Sequence, residues 1–278
     1  MKYLWLAPII ITLAFSSGVV VAADKITVVS MSPRASAATP FGMAVKSATK
    51  GRYYQSANCE DALRKFNATD NSVLIYNSSM EFAGRNKGLD CRLDSLLNEK
   101  KVMFVGQVYM KICQLAGNNY GFGKRKTSLG MASMYAVPKH QAQWVNAGAN
   151  LNIIPFAGAK AALRGLYAED IELAWLSFGL AAKQKRKIDC IGSTDPEASD
   201  FFGKQLPGLS IPDFRITYVI LVNSNNPEVI QRVKSVENST GWKNFMQKSY
   251  TTGSWNVSNS DAAAVVKYVD RMETNWAD

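Results

Sequence analysis

The chain has 278 residues, 47% of them hydrophobic and 19% charged, which is ordinary globular composition and enough for one large or two medium cores. No low-complexity stretch and no internal repeat is present, so solenoid and disordered classes are excluded. With 32 Lys and Arg against 22 Asp and Glu, the formal charge is +10. That points to an anionic ligand or an acidic surface. The one dense basic run, Lys183 to Lys187, lacks interleaved aromatics and reads as a solvated helix end, so nucleic acid is not an expected partner.

At the N-terminus, Lys2 precedes an almost wholly apolar run from Tyr3 to Val21, and Val21-Ala22-Ala23 supplies the small residues a signal peptidase reads. The expectation is a cleaved signal peptide, residues 1–23, and a periplasmic or otherwise extracytoplasmic mature chain from Asp24; a retained membrane anchor is the alternative. Loss of Lys2 takes the charge from +10 to +9. The first cysteine is Cys59, so no lipid anchor is expected at the cleavage junction. The four cysteines, Cys59, Cys91, Cys113 and Cys190, fit no zinc spacing and contain no Cys-x-x-Cys. In an oxidising compartment they predict two disulfides, with three possible connectivities. Cys91 with Cys113 is favoured because both flank one apolar segment, and four free thiols are the alternative.

Lys25 to Ser30 is a β-branched strand, followed by a loop of small and hydroxyl residues through Pro40. Thr39 reads as an N-cap with Pro40 at the first helical position, and the helix runs to about Ala48. Tyr53 to Ala57 is a second strand, about Glu60 to Phe66 a helix, and Ser72 to Tyr76 a third strand ending in Asn77-Ser78-Ser79. Three successive strands thus end in small hydroxyl or amide residues. On one sheet edge they would line a crevice with neutral donors, able to hold an anion without a fixed counter-charge. Leu93 to Leu97 reads as helix and Lys101 to Tyr109 as a long strand, with a first crossing between domains near Gln107 to Met110. Asn118 to Thr127 is a Gly- and Lys-rich surface loop. After Thr127 to Ser133, a short apolar run from Met134 to Val137 is ended by Pro138, and a helical stretch follows to about Asn146.

Asn150 to Ile154, the helix Ala159 to Tyr167, and the apolar strand Ile171 to Leu176 ending at Ser177 form one βαβ unit, with Gly158 in the tight turn. In open sheets of this kind small ligands sit at the carboxyl ends of strands, beside helix N-termini. Lys187 to Gly192 is a further strand, Phe214 to Val222 a long return strand, and a helix begins near Pro227, after which the chain is largely helical. The expected class is therefore α/β, two domains joined by two crossing strands. No Gly-x-Ser-x-Gly, HExxH or P-loop is present. The only histidine, His140, has no partner in view and reads as a surface or packing residue. An enzyme, a metal site and a cofactor are not expected.

Ile154-Pro155-Phe156-Ala157-Gly158, followed by a helix and the strand Ile171-Glu172-Leu173, resembles the Val-Pro-Tyr-x-Gly and Val-Asp-Leu pattern of the receptor subunits of tripartite tricarboxylate transporters, the Bug-type periplasmic solute-binding proteins. The resemblance is clearest from about Thr127 to Pro227. It implies a two-lobed, type II periplasmic-binding-protein-like fold, each lobe a mixed, mostly parallel sheet flanked by helices. The corresponding boundaries are lobe 1 at 24–108 plus 220–278 and lobe 2 at 109–219. Thr39 falls where the family has Thr, with Pro40 in place of the family Asp; the first loop lacks the family glycines and adds Arg34, which suits a carboxylate. Ser128 and Gly130, and roughly Ser133, match the Ser-x-Gly-x-Gly-Thr loop, whose second glycine is missing here. Leu206-Pro207-Gly208-Leu209 is comparable to the family's proline loop, and Leu176 stands where the family commonly has Asp.

The implied ligand set is Ser32, Arg34, Ser36 and Thr39 from the first loop, Ser78 and Ser79 from the third strand end, Ser128, Gly130 and Ser133 from the second lobe, Phe156 and Gly158 from the signature, and Ser177 closing the ring. The implied function is a monomeric receptor that closes over a small di- or tricarboxylate or related organic acid and hands it to the transporter's membrane permease subunits. The alternative is a non-transport sensor or surface-interaction protein that binds an acidic partner, for which the net charge speaks; a secreted hydrolase ranks third.

Overall fold

The structure, a computed structural model, describes residues 25–32, 38–85, 88–97, 100–120, 125–131, 150–194, 215–249 and 251–258, with 261, 263, 264, 266 and 267. Arg34, Ser36, Ser133, His140 and the segment Leu206 to Leu209, all singled out above, lie outside these residues, as does the leader.

The first half of the molecule is built on β1 (Thr27–Ser30), β2 (Arg52–Gln55) and β3 (Ser72–Asn77), in the parallel order β2-β1-β3. β9 (Arg215–Asn223) then lies antiparallel to β3, and the 15-residue β4 (Lys101–Leu115) lies antiparallel to β9. Alternation along these strands sends Val29, Leu74, Val219 and Leu221 to one face and Val28, Val73, Ile220 and Val222 to the other. α1 (Ala38–Thr49) covers the second face, because Ala38, Phe41, Gly42, Val45 and Thr49 fall on one helical stripe. Its Phe41 stacks on Tyr218 at 5.0 Å and meets Trp242 edge-on at 5.0 Å. α2 (Cys59–Asn67) lies on the first face. Its N-cap is Asn58, whose side chain accepts from the Asp61 N–H at 2.8 Å. α3 (Ser78–Arg85) and the short α4 (Leu93–Leu97) complete this layer, and α7 (Pro227–Lys234) and α8 (Thr240–Ser249) join α1.

β4 connects the halves. Its residues Lys101 to Tyr109 pair with β9, and those from Met110 to Cys113 pair with β7 (Leu173–Ser177), so the partner exchange falls between Tyr109 and Met110. β8 (Ile188–Ser193) pairs along the other side of Lys111 to Leu115. β5 (Thr127–Met131) is parallel to both β7 and β6 (Leu151–Pro155). α5 (Ala159–Tyr167) and α6 (Phe178–Lys183) cover one face, over Cys113, Ala174 and Leu176. The Leu151 to Ser177 unit forms as expected, but its two strands are not neighbours. β5 lies between them, because Leu129 and Met131 carry enough apolar surface to claim the central position.

Three further expectations are corrected. Thr39 is the second residue of α1 rather than its cap, since the helix begins at Ala38. Thr127 to Met131 is a buried strand, not a loop. After α8 the chain adds a strand, β10 (Thr252–Trp255), on the free edge of β4.

The disulfides are Cys59–Cys91 and Cys113–Cys190, not Cys91 with Cys113. The reason is topological. β4 carries Cys113 across into the second half, directly opposite Cys190 of β8, while Cys91 stays in the first half beside α2. Among the described residues no helix is long and apolar enough to cross a membrane.

Candidate functional site

The parallel strands of the first half deliver their carboxyl ends to one edge, and there the chain buries a polar cluster. Ser30 and Ser32 are fully buried, as are Ser56, Asn77 and Ser78 to within a few per cent. Such groups are costly unless hydrogen-bonded. Asn77 is the organiser. Its Nδ2 donates to Ser32 Oγ at 3.0 Å, and its Oδ1 accepts from the Ser79 N–H at 3.0 Å and from Ser79 Oγ at 2.8 Å. One amide therefore spans the ends of β1 and β3. Ser78 Oγ accepts from the Thr217 N–H at 2.9 Å, tying in β9. Gln55 donates to the Ser32 carbonyl and Ser56 to the Ser30 carbonyl, from the end of β2. The buried hydroxyls of Thr39 and Thr217 have no hydrogen-bond partner among the described residues.

In the second half the corresponding edge is formed by the ends of β7 and β8. Ser177 ends β7 opposite Met110, where β4 crosses. Thr194 locks onto the crossing strand from the other side. Its Oγ1 accepts from the Met110 N–H at 2.9 Å, and its own N–H donates to the Met110 carbonyl at 3.0 Å. Next to it Lys111, wholly buried, donates from Nζ to Ser193 Oγ at 2.6 Å and lies 4.6 Å from the centroid of the Phe178 ring.

The predicted residues thus divide. Ser32, Ser78 and Ser79 come together, and Ser177 stands on the matching edge of the other half. Gly158 N-caps α5 just after β6, with φ +138°, and its carbonyl accepts from the Ala161 and Ala162 N–H groups at 2.9 and 3.1 Å. A Cβ there would meet nothing within 4 Å, so glycine is required by the backbone conformation and not by crowding.

Ser128, Gly130 and Phe156 do not join the cluster. Ser128 is the second residue of β5, near the amino end of its strand, and is clamped to Glu172: its N–H donates to Oε2 at 2.9 Å, and its Oγ accepts from the Glu172 N–H at 2.9 Å. Glu172 is ion-paired in turn with Arg125. Gly130 is a packing residue, since a Cβ would stand 2.3 Å from Ile171 Cδ1 and 2.9 Å from the Phe156 ring. Phe156 lies over Gly130 and Gly165 in the sheet–helix layer. Four contributors escaped the sequence reading: Asn77 as organiser, Gln55 and Thr217, which carry no motif, and Lys111, hidden in an apolar strand. Among the described residues no group of three or more His, Cys, Asp or Glu could hold a metal ion.

No protein-family model matches the sequence, and no curated protein does. Solved structures do. A TctC solute-binding protein from Polaromonas superposes with TM-score 0.64 at 13% identity, covering 92% of this chain and 98% of that one. The periplasmic binding protein BugD gives 0.65 at 13% identity, with 91% and 95% covered. An R. palustris protein with adipate gives 0.64 at 11% identity, again with 91% and 95% covered. Over nine-tenths of its length, then, the chain has the two-lobed fold of periplasmic binding proteins, with the TctC solute-binding protein and BugD among its structural neighbours.

Proposed function

We propose that the protein is an extracytoplasmic solute-binding receptor that closes two lobes over a small organic carboxylate and delivers it, as a monomer, to the permease subunits of a tripartite tricarboxylate-type transporter. On this reading lobe 1 comprises residues 24–108 and 220–278 and lobe 2 residues 109–219, and the exchange of partners along β4 supports a crossing near the first boundary. The observation that carries the reading is Asn77, whose amide gathers the Ser32 and Ser79 hydroxyls at the carboxyl ends of β1 and β3. Because the Ser32 oxygen accepts from Asn77 Nδ2, its hydroxyl keeps its own proton to donate; such a neutral donor stabilises an anion without fixing its exact charge, and lobe closure removes water from it. The neighbour with adipate supports the ligand class. Two disulfides among the described residues, with the expected 1–23 leader, support an oxidising compartment.

A thermal-shift screen of the chain from Asp24, against mono-, di- and tricarboxylates, acidic amino acids and aromatic acids, tests this. A true ligand at about 100 times its Kd adds roughly 2.7 kcal/mol, on the order of 5–10 °C in a chain of this size. Asn77→Ala should remove the shift. A flat response across the panel refutes the receptor reading and leaves the surface-interaction alternative, which the exposed Lys183, Lys185, Arg186 and Lys187 favour.

A further inference from the structure

The amino ends of the parallel strands form the edge of the first half that lies farthest from the hydroxyl cluster, and this edge is basic. The backbone sets its residues side by side. The Arg52 N–H donates to the Ile26 carbonyl at 2.8 Å, and the Thr27 N–H to the Asn71 carbonyl at 3.1 Å. Lys25 and Arg52 therefore stand where β1 and β2 begin. Lys101 begins β4 opposite Val222, next to Asn223, which pairs with Ser72 at the start of β3. α1 ends at the same edge and brings Lys46 and Lys50 to it, where the Gly51 N–H donates to the Lys46 carbonyl at 3.0 Å.

Lys25, Lys50, Arg52 and Lys101 are exposed and Lys46 is half-buried. None of these side chains has a hydrogen-bond or ion-pair partner among the described residues. The described acids on the edge are Asp70, in the turn before β3, and Glu228, in the first turn of α7. Lys46 and Lys50 have a local reason to be basic, since cations favour the carboxyl end of a helix. Lys25, Arg52 and Lys101 flank strands and have none. The row crosses β2, β1, β3, β9 and β4, a front of about 19 Å at the usual strand spacing of about 4.8 Å. Such a front suits a surface, and the sequence indicates which one. The apolar run Tyr3 to Val21 ends four positions before Lys25, a connection of at most about 14 Å when fully extended. Whenever that run lies in a bilayer, as the expected leader does during export, the basic edge is held beside the lipid headgroups.

We propose that this edge docks the protein on an anionic phospholipid bilayer: Lys25, Lys50, Arg52 and Lys101 meet lipid phosphates, and the hydroxyl cluster at the carboxyl ends of the same strands is held on the side away from the lipid. The large hydrophobic side chains exposed among the described residues are Met43, in the middle of α1, and Tyr167, in the second half. Neither lies on this edge, so the contact is electrostatic and reversible. It is independent of the receptor reading, which does not say where the protein rests between ligands.

The test is cosedimentation of the protein recovered after export with vesicles of pure phosphatidylcholine, and of equal parts phosphatidylcholine and phosphatidylglycerol, in low and in physiological salt. The wild type should bind the anionic vesicles in low salt, leave the neutral ones, and lose most of its binding as salt is raised. Each basic residue at such a surface is worth about fivefold in partitioning. Lys25→Gln, Arg52→Gln and Lys101→Gln together should therefore weaken binding roughly a hundredfold. Circular dichroism checks the fold of this variant, and Lys25→Arg, Lys50→Arg and Lys101→Arg together, which keep the charge, should preserve binding. Neutralising Lys183, Lys185, Arg186 and Lys187 removes charge just before β8, beyond the far end of β4, and should cost less than about threefold. No binding to anionic vesicles, equal binding to neutral ones, or equal loss from the two neutralised variants overturns the proposal. So does binding to heparin or duplex DNA that survives a salt concentration at which the vesicles are released, which would assign the edge to an anionic polymer. The receptor reading stands in each case.

Discussion

Removing the Cys113–Cys190 bridge is the most informative single perturbation of the fold. It joins β4 to β8, two residues along β4 from Lys111 and three along β8 from Ser193. The bridge spans 77 residues, for which loop-closure entropy gives about 4.5 kcal/mol at 25 °C. The Cys59–Cys91 bridge spans 32 residues and gives about 3.7 kcal/mol on the same basis. A Cys113→Ser, Cys190→Ser double variant should therefore melt roughly 9–18 °C below the wild type, since each kcal/mol is worth about 2–4 °C in chains of this size. It should also melt below the Cys59→Ser, Cys91→Ser variant, by the smaller margin that about 0.8 kcal/mol implies. Differential scanning calorimetry reads both values, and proteolysis without reductant, followed by mass spectrometry, reads the connectivity. A cross-linked peptide containing both Cys91 and Cys113 would refute the topology. A larger loss from the shorter loop would refute the entropic reasoning while sparing the topology.

Ser128→Ala should cost about 1–3 kcal/mol of stability, because it leaves the Glu172 N–H without its acceptor, and should leave ligand affinity unchanged; a lost ligand shift with an unchanged melting point would show the opposite role. Tyr218→Phe should raise the melting temperature, since the Tyr218 hydroxyl is buried without a partner among the described residues. Burial also pushes that phenol well above its ordinary value, so folding favours its neutral form. The associated stability is complete below about pH 10, where the unfolded phenol titrates, and is lost as pH rises beyond it. Tyr218→Phe should flatten this alkaline loss, and identical pH profiles for variant and wild type would contradict it. Gly179→Val should hold the lobes apart, because even a Cβ at Gly179 of α6 would stand 2.7 Å from Ser249 Cα and O of α8. Small-angle scattering should show a larger radius of gyration, with weakened ligand binding; unchanged affinity would sink the closure argument.

Local elements were legible where one physical signal dominated. Pro227 behind Asn226 fixed the start of α7, and the apolar spacing of Ala162, Leu163 and Leu166 fixed α5. The adjacency of strands was not legible, because periodicity records which face a residue buries and carries nothing about which strand lies beside it. β5 shows this. Read alone, Thr-Ser-Leu-Gly-Met looks like a loop, since Ser and Gly are turn residues. Its strand identity comes from tertiary contact: Ile171 and Phe156 close over Gly130, and Leu129 and Met131 enter the core.

The same distinction explains the outcome at the cleft. Ser32, Ser78 and Ser79 were legible because a residue directly after a parallel strand is carried to the carboxyl edge whatever the strand order. Ser128 carries the same side chain near the opposite end of its strand, where its N–H and hydroxyl engage Glu172. Lys111 was hidden for the converse reason. In a run of apolar residues a single lysine reads as an edge or surface position, and only the strands and helix that join β4 beyond Met110 cover it, with Phe178 and Ser193 against its ammonium. Residue type therefore locates the hydroxyl and amide cluster at the strand ends, but the burial of Lys111 depends on where one long strand exchanges β9 for β7 and β8.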